Sequence, residues 1–405
     1  MALKDGIKKL ERRLLSPVYQ FLNDSRAVGI ILVACTIISL VLANSPWSET
    51  YTQFWTTLFD HKTGHHFEIF GLHFPNSVVM VINDELMVLF FFLVGMEIKR
   101  ELTTGELSSI RKSIMPVLAA IGGMLFPAAI YLAFNQGTPF HHGWGIPMAT
   151  DIAFSLGILS LLGKRVPVTL KIFLTALAII DDLGAILAIA IFYTAEIQGF
   201  YLLLGAGIMA LLVILNVLKV QKLIFYFIPG IILWYCIFNS GVHATIAGVL
   251  LAFCIPLNRI DSMVNKLHDP INFVIMPLFA LANTAIVFPP DILHAFDNSI
   301  SHGIMLGLVL GKPLGIFLFS WVAAKLKLAS LPTGADWKQL WGIGMIAGIG
   351  FTMSIFISTL AFKSVDEQII SIMSVILASV IAAVLGFLYI RLVCNMKRKP
   401  KLMES

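Results

Sequence analysis

Charged side chains are scarce in this chain. Asp, Glu, Lys and Arg make up 13% of its 405 residues, against roughly 25% in a soluble globular domain. That shortfall excludes water as the main solvent of the folded body. Segments of about ten residues with alternating polarity, the mark of a transmembrane barrel, are also missing. Cysteine is rare: Cys35, Cys236, Cys254 and Cys394 lie scattered in apolar stretches without metal-ligand spacing, so no disulfide framework is expected. The stretch Met1 to Leu15 is basic and amphipathic but lacks an apolar core followed by a cleavage site. Residues 1–26 therefore read as a retained cytoplasmic segment and not a signal peptide. No nucleotide-binding motif precedes a helix, so no organic cofactor is expected.

What the chain has instead is apolar runs of about 20 residues, the length that crosses a bilayer core. The expected fold class is an all-α integral membrane protein, one polytopic domain over 1–405. Its twelve spans are placed at 27–43, 76–98, 113–134, 142–162, 167–194, 200–218, 223–238, 241–257, 268–288, 303–323, 339–361 and 367–393. With the N-terminus in the cytoplasm, all but three of the 28 basic residues fall on the inner side or at inner span ends. The exceptions are Lys62, Lys363 and Lys312, the last inside a span. A positive-inside bias of this kind supports an even span count with both termini cytoplasmic. The net charge of +5 then reflects topology and calls for no nucleic-acid partner.

One sizeable outer loop, 44–75, stands apart. Its Phe67–Phe74 stretch sets aromatic and β-branched residues around a glycine, which suggests a short hairpin at the membrane surface. An interfacial amphipathic helix is the alternative. An exposed strand edge there would offer a second copy of the protein a place to pair.

Asp151, Asp181, Asp182 and Lys312 lie deep within the predicted spans. Each charge at a helix centre costs roughly 2.5–3.5 kcal/mol on insertion scales, so stability does not account for the set. A structural salt bridge from Lys312 to one aspartate would explain one acid and leave two. Asp181 and Asp182 are consecutive, so on a helix they project about 100° apart and can border one cavity. Two carboxylates in low dielectric repel and titrate as a coupled pair. Protons neutralise such a pair, or a cation does, and this is a device for exchange. Hard cations such as Na⁺ take oxygen ligands: carboxylates, threonine hydroxyls and freed backbone carbonyls.

Two spans are interrupted. The fourth runs Gly145-Ile-Pro-Met-Ala-Thr-Asp, and the eleventh Gly342-Ile-Gly-Met-Ile-Ala-Gly-Ile-Gly. Non-helical backbone at membrane depth is tolerated where it is buried in protein or lines a water-filled cavity. Matching breaks in two halves point to inverted-topology repeats, spans 3–5 (113–194) and 10–12 (303–393), with a site near the midplane. Asp151 can offset positive helix ends there, and Lys312 negative ones.

At this point the chain resembles the NhaA family of bacterial sodium/proton antiporters. The resemblance runs through FFFLVGMEIKRELTTGEL from Phe90, PMATDIAFSLG from Pro147, LTALAIIDDLGAI from Leu174, SGVHATIAG from Ser240, PLFALANTAI from Pro277, GKPLGI from Gly311 and GIGFTMSIF from Gly348. It implies that Asp181 and Asp182 form the shared ion and proton site, with Asp182 nearest the cation. It makes Lys312 the partner of Asp181, and Thr150 and Asp151 the residues that balance the crossing. Asp84 matches a secondary acidic position. Glu97, Arg100 and Glu101 match a cytoplasmic pH-sensing cluster, although on their own they read as a solvated helix end. His243 matches a histidine that affects pH response, and reads equally as a hydrogen-bonded packing histidine. One departure concerns Glu-His-x-x-His at the start of the ninth span. The run Val264-Asn265-Lys266-Leu267-His268 keeps only His268, which puts the pH of activation in doubt.

The function these residues imply is secondary active antiport of Na⁺ or Li⁺ against protons. It would be electrogenic at two protons per Na⁺, pH-regulated, and placed in the bacterial inner membrane in a protein that dimerises through the outer hairpin. A cation-coupled symporter of another solute is the alternative. An intramembrane aspartyl protease needs Gly-x-Gly-Asp, and here Gly348-Ile-Gly is followed by Phe351. A cation channel would place acidic rings along a pore, which a sequestered Asp-Asp-Lys set does not do.

Overall fold

The computed structural model describes residues 25–60, 66–69, 72–194 and 197–401. Most of the N-terminal 1–26 segment, Lys62 and residues 70–71 within the 44–75 loop lie outside the described residues. Helix α1 (Ser25–Ala43) is followed by a 116° bend into α2 (Ser48–Thr56). Strands β1 (His66–Ile69) and β2 (Leu72–Pro75) then pair antiparallel, His66 opposite Pro75 and Ile69 opposite Leu72. Helix α3 (Val78–Thr103) contains a π-turn at Ile82–Leu86, and α4 spans Ile110–Asn135. Prolines 116 and 127 sit inside α4, as membrane helices allow when neighbours satisfy the freed carbonyls.

The next span is broken: a 3₁₀ segment, Pro139–Met148, meets α5 (Ile152–Leu161) at 43°. Helices α6 (Val168–Phe192), α7 (Gly199–Val217), α8 (Ile224–Phe238) and α9 (Thr245–Cys254) follow. Then come α10 (Leu257–Pro270), a π-turn at Ile271–Ile275 and α11 (Met276–Asn283). Helix α12 (Ser299–Lys325) precedes a second broken span, α13 (Trp337–Ala347) and α14 (Phe351–Ala361), bent by 47°. Helix α15 (Val365–Lys401) closes the described chain. Among the described residues, six helices are long and apolar enough to cross a membrane, or up to nine when each bent pair counts as one span.

Two stretches depart from the expected spans. The eighth was expected over 241–257, but helix begins only at Thr245 after a turn in which Gly241 has φ +87°. At ten residues, α9 is about 15 Å long, half a bilayer core. The ninth was expected to start at 268, yet helix starts at Leu257. Residues such as Arg259, Asp261, Lys266 and His268 disguise the amphipathic first half, in which Ile260, Met263 and Val264 are buried at helical spacing.

Helices in lipid gain nothing by hiding apolar side chains from water, so close packing of small residues decides which ones touch. Gly122 of α4 and Gly315 of α12 meet backbone to backbone: a Cβ on Gly315 would fall 2.0 Å from the Gly122 carbonyl oxygen. Gly248 does the same for α9, where a Cβ would lie 2.3 Å from the Val88 oxygen of α3. By contrast α7 presents Phe200 and Leu203, each 75% exposed, to the surrounding lipid.

Candidate functional site

The two broken spans cross one another at their breaks, and side chains replace the missing helical hydrogen bonds. Thr150 Oγ1 donates to the Ala347 carbonyl at 2.9 Å, and the Asp151 amide donates to the Ile349 carbonyl at 2.8 Å. Ser155 Oγ donates to Ile346 O at 3.2 Å and Ser354 Oγ to Ile146 O at 2.7 Å. Polar groups of one span thus bond backbone carbonyls at or near the break of the other.

Charge follows the same logic. Asp151 caps α5, its Oδ1 accepting from the Phe154 amide at 2.9 Å. Its Oδ2 accepts from Thr352 Oγ1 at 2.5 Å and from the Thr352 amide at 3.2 Å, at the start of α14. One carboxylate therefore faces two helix N-termini, where partial positive charge gathers. Lys312 sits at the opposite pole. Its Nζ donates to the Met148 carbonyl, at the C-terminal end of the 3₁₀ segment, and lies 2.9 Å from Asp181 Oδ2. Both side chains of that ion pair are fully buried, where a bridge persists only with further hydrogen bonds. Thr150 Oγ1, 2.8 Å from Asp181 Oδ2, supplies one by sharing its single proton between that oxygen and the Ala347 carbonyl.

Asp182 is treated differently from its neighbour. Both acids are 1% exposed. Yet Asp181 uses only Oδ2, and its Oδ1 and the Oδ1 of Asp182 have no hydrogen-bond partner among the described residues. Asp182 borders a cavity of about 230 Å³ that it shares with Asp151, Thr352, Thr175, Asn272, Glu97, Arg100 and His268. The Arg100 side chain is 35% exposed and pairs with Asp261 at 3.8 Å, and His268 is 52% exposed. The cavity therefore joins the buried acid to the protein surface.

The remaining candidates fall elsewhere. Glu101 does not line this cavity; its Oε2 accepts from the Glu106 amide at 3.0 Å. Asp84, in the π-turn of α3, lies 3.6 Å from His243 Nε2, and its carbonyl accepts from Trp234 Nε1 at 3.0 Å. His243 also contacts Thr245 Oγ1 through Nδ1 at 3.0 Å and meets the Phe356 ring edge-on. Asp84 and His243 thus form a cluster of their own, which does not border the Asp182 cavity. Thr352, Ser155, Ser354 and Thr175 were not singled out from sequence. The signal for Thr352 and Ser354 lay in the polar positions of Gly350-Phe-Thr-Met-Ser, just past the second break.

A multi-pass helical bundle holding a buried, charge-compensated carboxylate pair at crossed helix breaks belongs to the class of membrane transporters. The family described as Na⁺/H⁺ antiporter 1 matches residues 19–390, and the chain belongs to that family. It is 48% identical over 375 residues to the Na⁺/H⁺ antiporter NhaA 2 of Flavobacterium johnsoniae, covering 91% of this chain and 90% of that protein. To the Na⁺/H⁺ antiporter NhaA of Flavobacterium psychrophilum it is 47% identical, over 92% of this chain and 95% of the relative. The NhaA of Cytophaga hutchinsonii is 46% identical, with 95% and 97% covered.

Proposed function

We propose that this protein exports Na⁺, or Li⁺ in its place, in exchange for protons, and that both compete for Asp181 and Asp182. The observation that carries the reading is the asymmetry of the two acids. Each acid leaves one oxygen unpartnered among the described residues, but Asp181 is held by Lys312 and Thr150, while Asp182 borders the surface-reaching cavity. A small hard cation entering the cavity meets Asp182 first. To complete an oxygen shell it recruits Asp181, and Lys312 must then let go. An ammonium that loses its carboxylate in a buried site is unstable as a cation, so Lys312 gives up its proton as Asp182 gives up its own. Two protons leave for one Na⁺ bound, one net charge moves per cycle, and the membrane potential drives export. Alternating access at the crossed breaks returns the site to the other side, where protons reload it.

The same reading arranges the chain as twelve spans with inverted repeats over 113–194 and 303–393. Two breaks with nearly equal bends that cross at one point support it. It places the protein in a bacterial inner membrane with both termini cytoplasmic, and makes Glu97, Arg100 and His268, which line the cavity, the pH-responsive set. Dimerisation runs through β1–β2, a two-stranded sheet whose outer edges pair with no other strand among the described residues.

Everted vesicles from a host without its own antiporters test the exchange, with an acid-trapped fluorophore reporting on proton movement. Dequenching on addition of Na⁺ or Li⁺ that vanishes in Asp182→Asn is the expected result. No response to Na⁺, Li⁺ or K⁺ at any pH, with folded protein present, would overturn the reading in favour of cation-coupled symport of another solute.

A further inference from the structure

Between α3, α8 and α9 lies a groove of about 410 Å³ that has no part in the exchange site. Its origin is local. Helix α9 is short and meets its neighbours through Ala247 and Gly248, so the floor is low, while Phe92, Phe227 and Trp234 stand up as walls. The volume falls within the roughly 300–1,000 Å³ of small-ligand sites. The walls face outward into the membrane: Leu89 is 43% exposed and Ile231 65%. The stretch from Leu86 to Phe92 covers about 10 Å of helix at 1.5 Å per residue, and its lining is apolar.

A single charge interrupts that lining. Glu85 borders the groove at the end shared with Phe74, beside the hairpin, and is only partly exposed. No cationic side chain pairs with it among the described residues. Its neighbour Asp84 is already engaged with His243, and the wall residue Trp234 is pinned to the same π-turn by its bond to the Asp84 carbonyl. A carboxylate at the rim of a membrane-facing apolar slot, next to an indole, selects an amphiphile with a cationic head.

We propose that this groove holds one acyl chain of a membrane phospholipid bearing an ammonium headgroup, and that Glu85 binds the ammonium. The lipid lies in the leaflet on the hairpin side and braces the π-turn that carries Asp84. Charge complementarity at the rim and the lateral opening of the slot favour a lipid over a second copy of the chain.

The test uses the intact protein purified in detergent, depleted of lipid, then offered phosphatidylethanolamine or phosphatidylglycerol and examined by native mass spectrometry and thermal shift. A hydrogen bond to a charged group is worth about 1.5–3 kcal/mol, so phosphatidylethanolamine is retained at least about tenfold better by the wild type. Glu85→Gln removes that preference, and Ile231→Trp, a change at an exposed wall, removes the adduct. Equal retention of the two lipids by the wild type, or a preference that survives Glu85→Gln, overturns the proposal. So does an Ile231→Trp variant that dissociates a dimer and leaves lipid retention intact, since the groove is then a contact between copies. None of these readouts involves ion transport, so their outcome is separate from that of the exchange assay.

Discussion

In α6, 67% of the membrane-crossing stretch is buried inside the protein, whereas in the equally apolar α7 the share is 11%. Hydrophobicity does not separate the two, because lipid tails are as apolar as leucine and offer no reason to hide one. Polar residues within the span do. Helix α6 carries Thr175, Asp181 and Asp182, each requiring a protein partner or a cavity. Helix α7 turns Phe200, Leu203, Ile214 and Val217 outward and leaves them there. The site-bearing half of the molecule is thus held together by what would be a liability in the lipid-facing half.

Substitutions in the two helices should separate them sharply. Asp182→Asn reduces Na⁺-driven proton movement to background in vesicles at equal protein level, whereas Leu203→Ala leaves it unchanged. Next in size is Lys312→Ala, which strands Asp181 as a buried charge. It costs about 3–5 kcal/mol of stability, read as a thermal shift of the purified protein, and Lys312→Ala with Asp181→Asn recovers part of it. Gly315→Ala forces α4 and α12 apart at their backbone contact and costs about 1–3 kcal/mol by the same measurement. Thr352→Val removes a hydroxyl bond to Asp151 and also costs about 1–3 kcal/mol, with Thr352→Ser retaining most of it. Leu203→Ala, at the lipid face, stays within about 0.5 kcal/mol of the wild type. A loss there as large as that at Gly315 would break the comparison.

Much of this architecture was legible in the residues, for physical reasons that differ from place to place. Asp151, Asp181, Asp182 and Lys312 stood out because charge at membrane depth is costly whatever surrounds it. The breaks were legible because glycine and proline interrupt helices in any context, and the structure puts them at 149–151 and 348–350. The pairing between the breaks was not, because Thr150 with Ala347 and Asp151 with Thr352 are contacts across some 200 positions. Thr352 was missed because a threonine in a span reads as a helix back-bond until its partner is known. The start of α10 was missed because its polar face looks like a loop when only apolar runs are scored. Glu97, Arg100 and His268 share a cavity with Asp182, a convergence of three elements with no local pattern.

Competition of Na⁺ and protons for one carboxylate pair is tested most directly by the apparent Na⁺ affinity of the purified, reconstituted protein as a function of pH, from charge movements on a supported membrane. Competition predicts that affinity tightens as pH rises, by about tenfold per pH unit for each proton displaced, and that Asp182→Asn abolishes the signal. A Na⁺ affinity independent of pH, or a signal that persists in Asp182→Asn, would contradict the account.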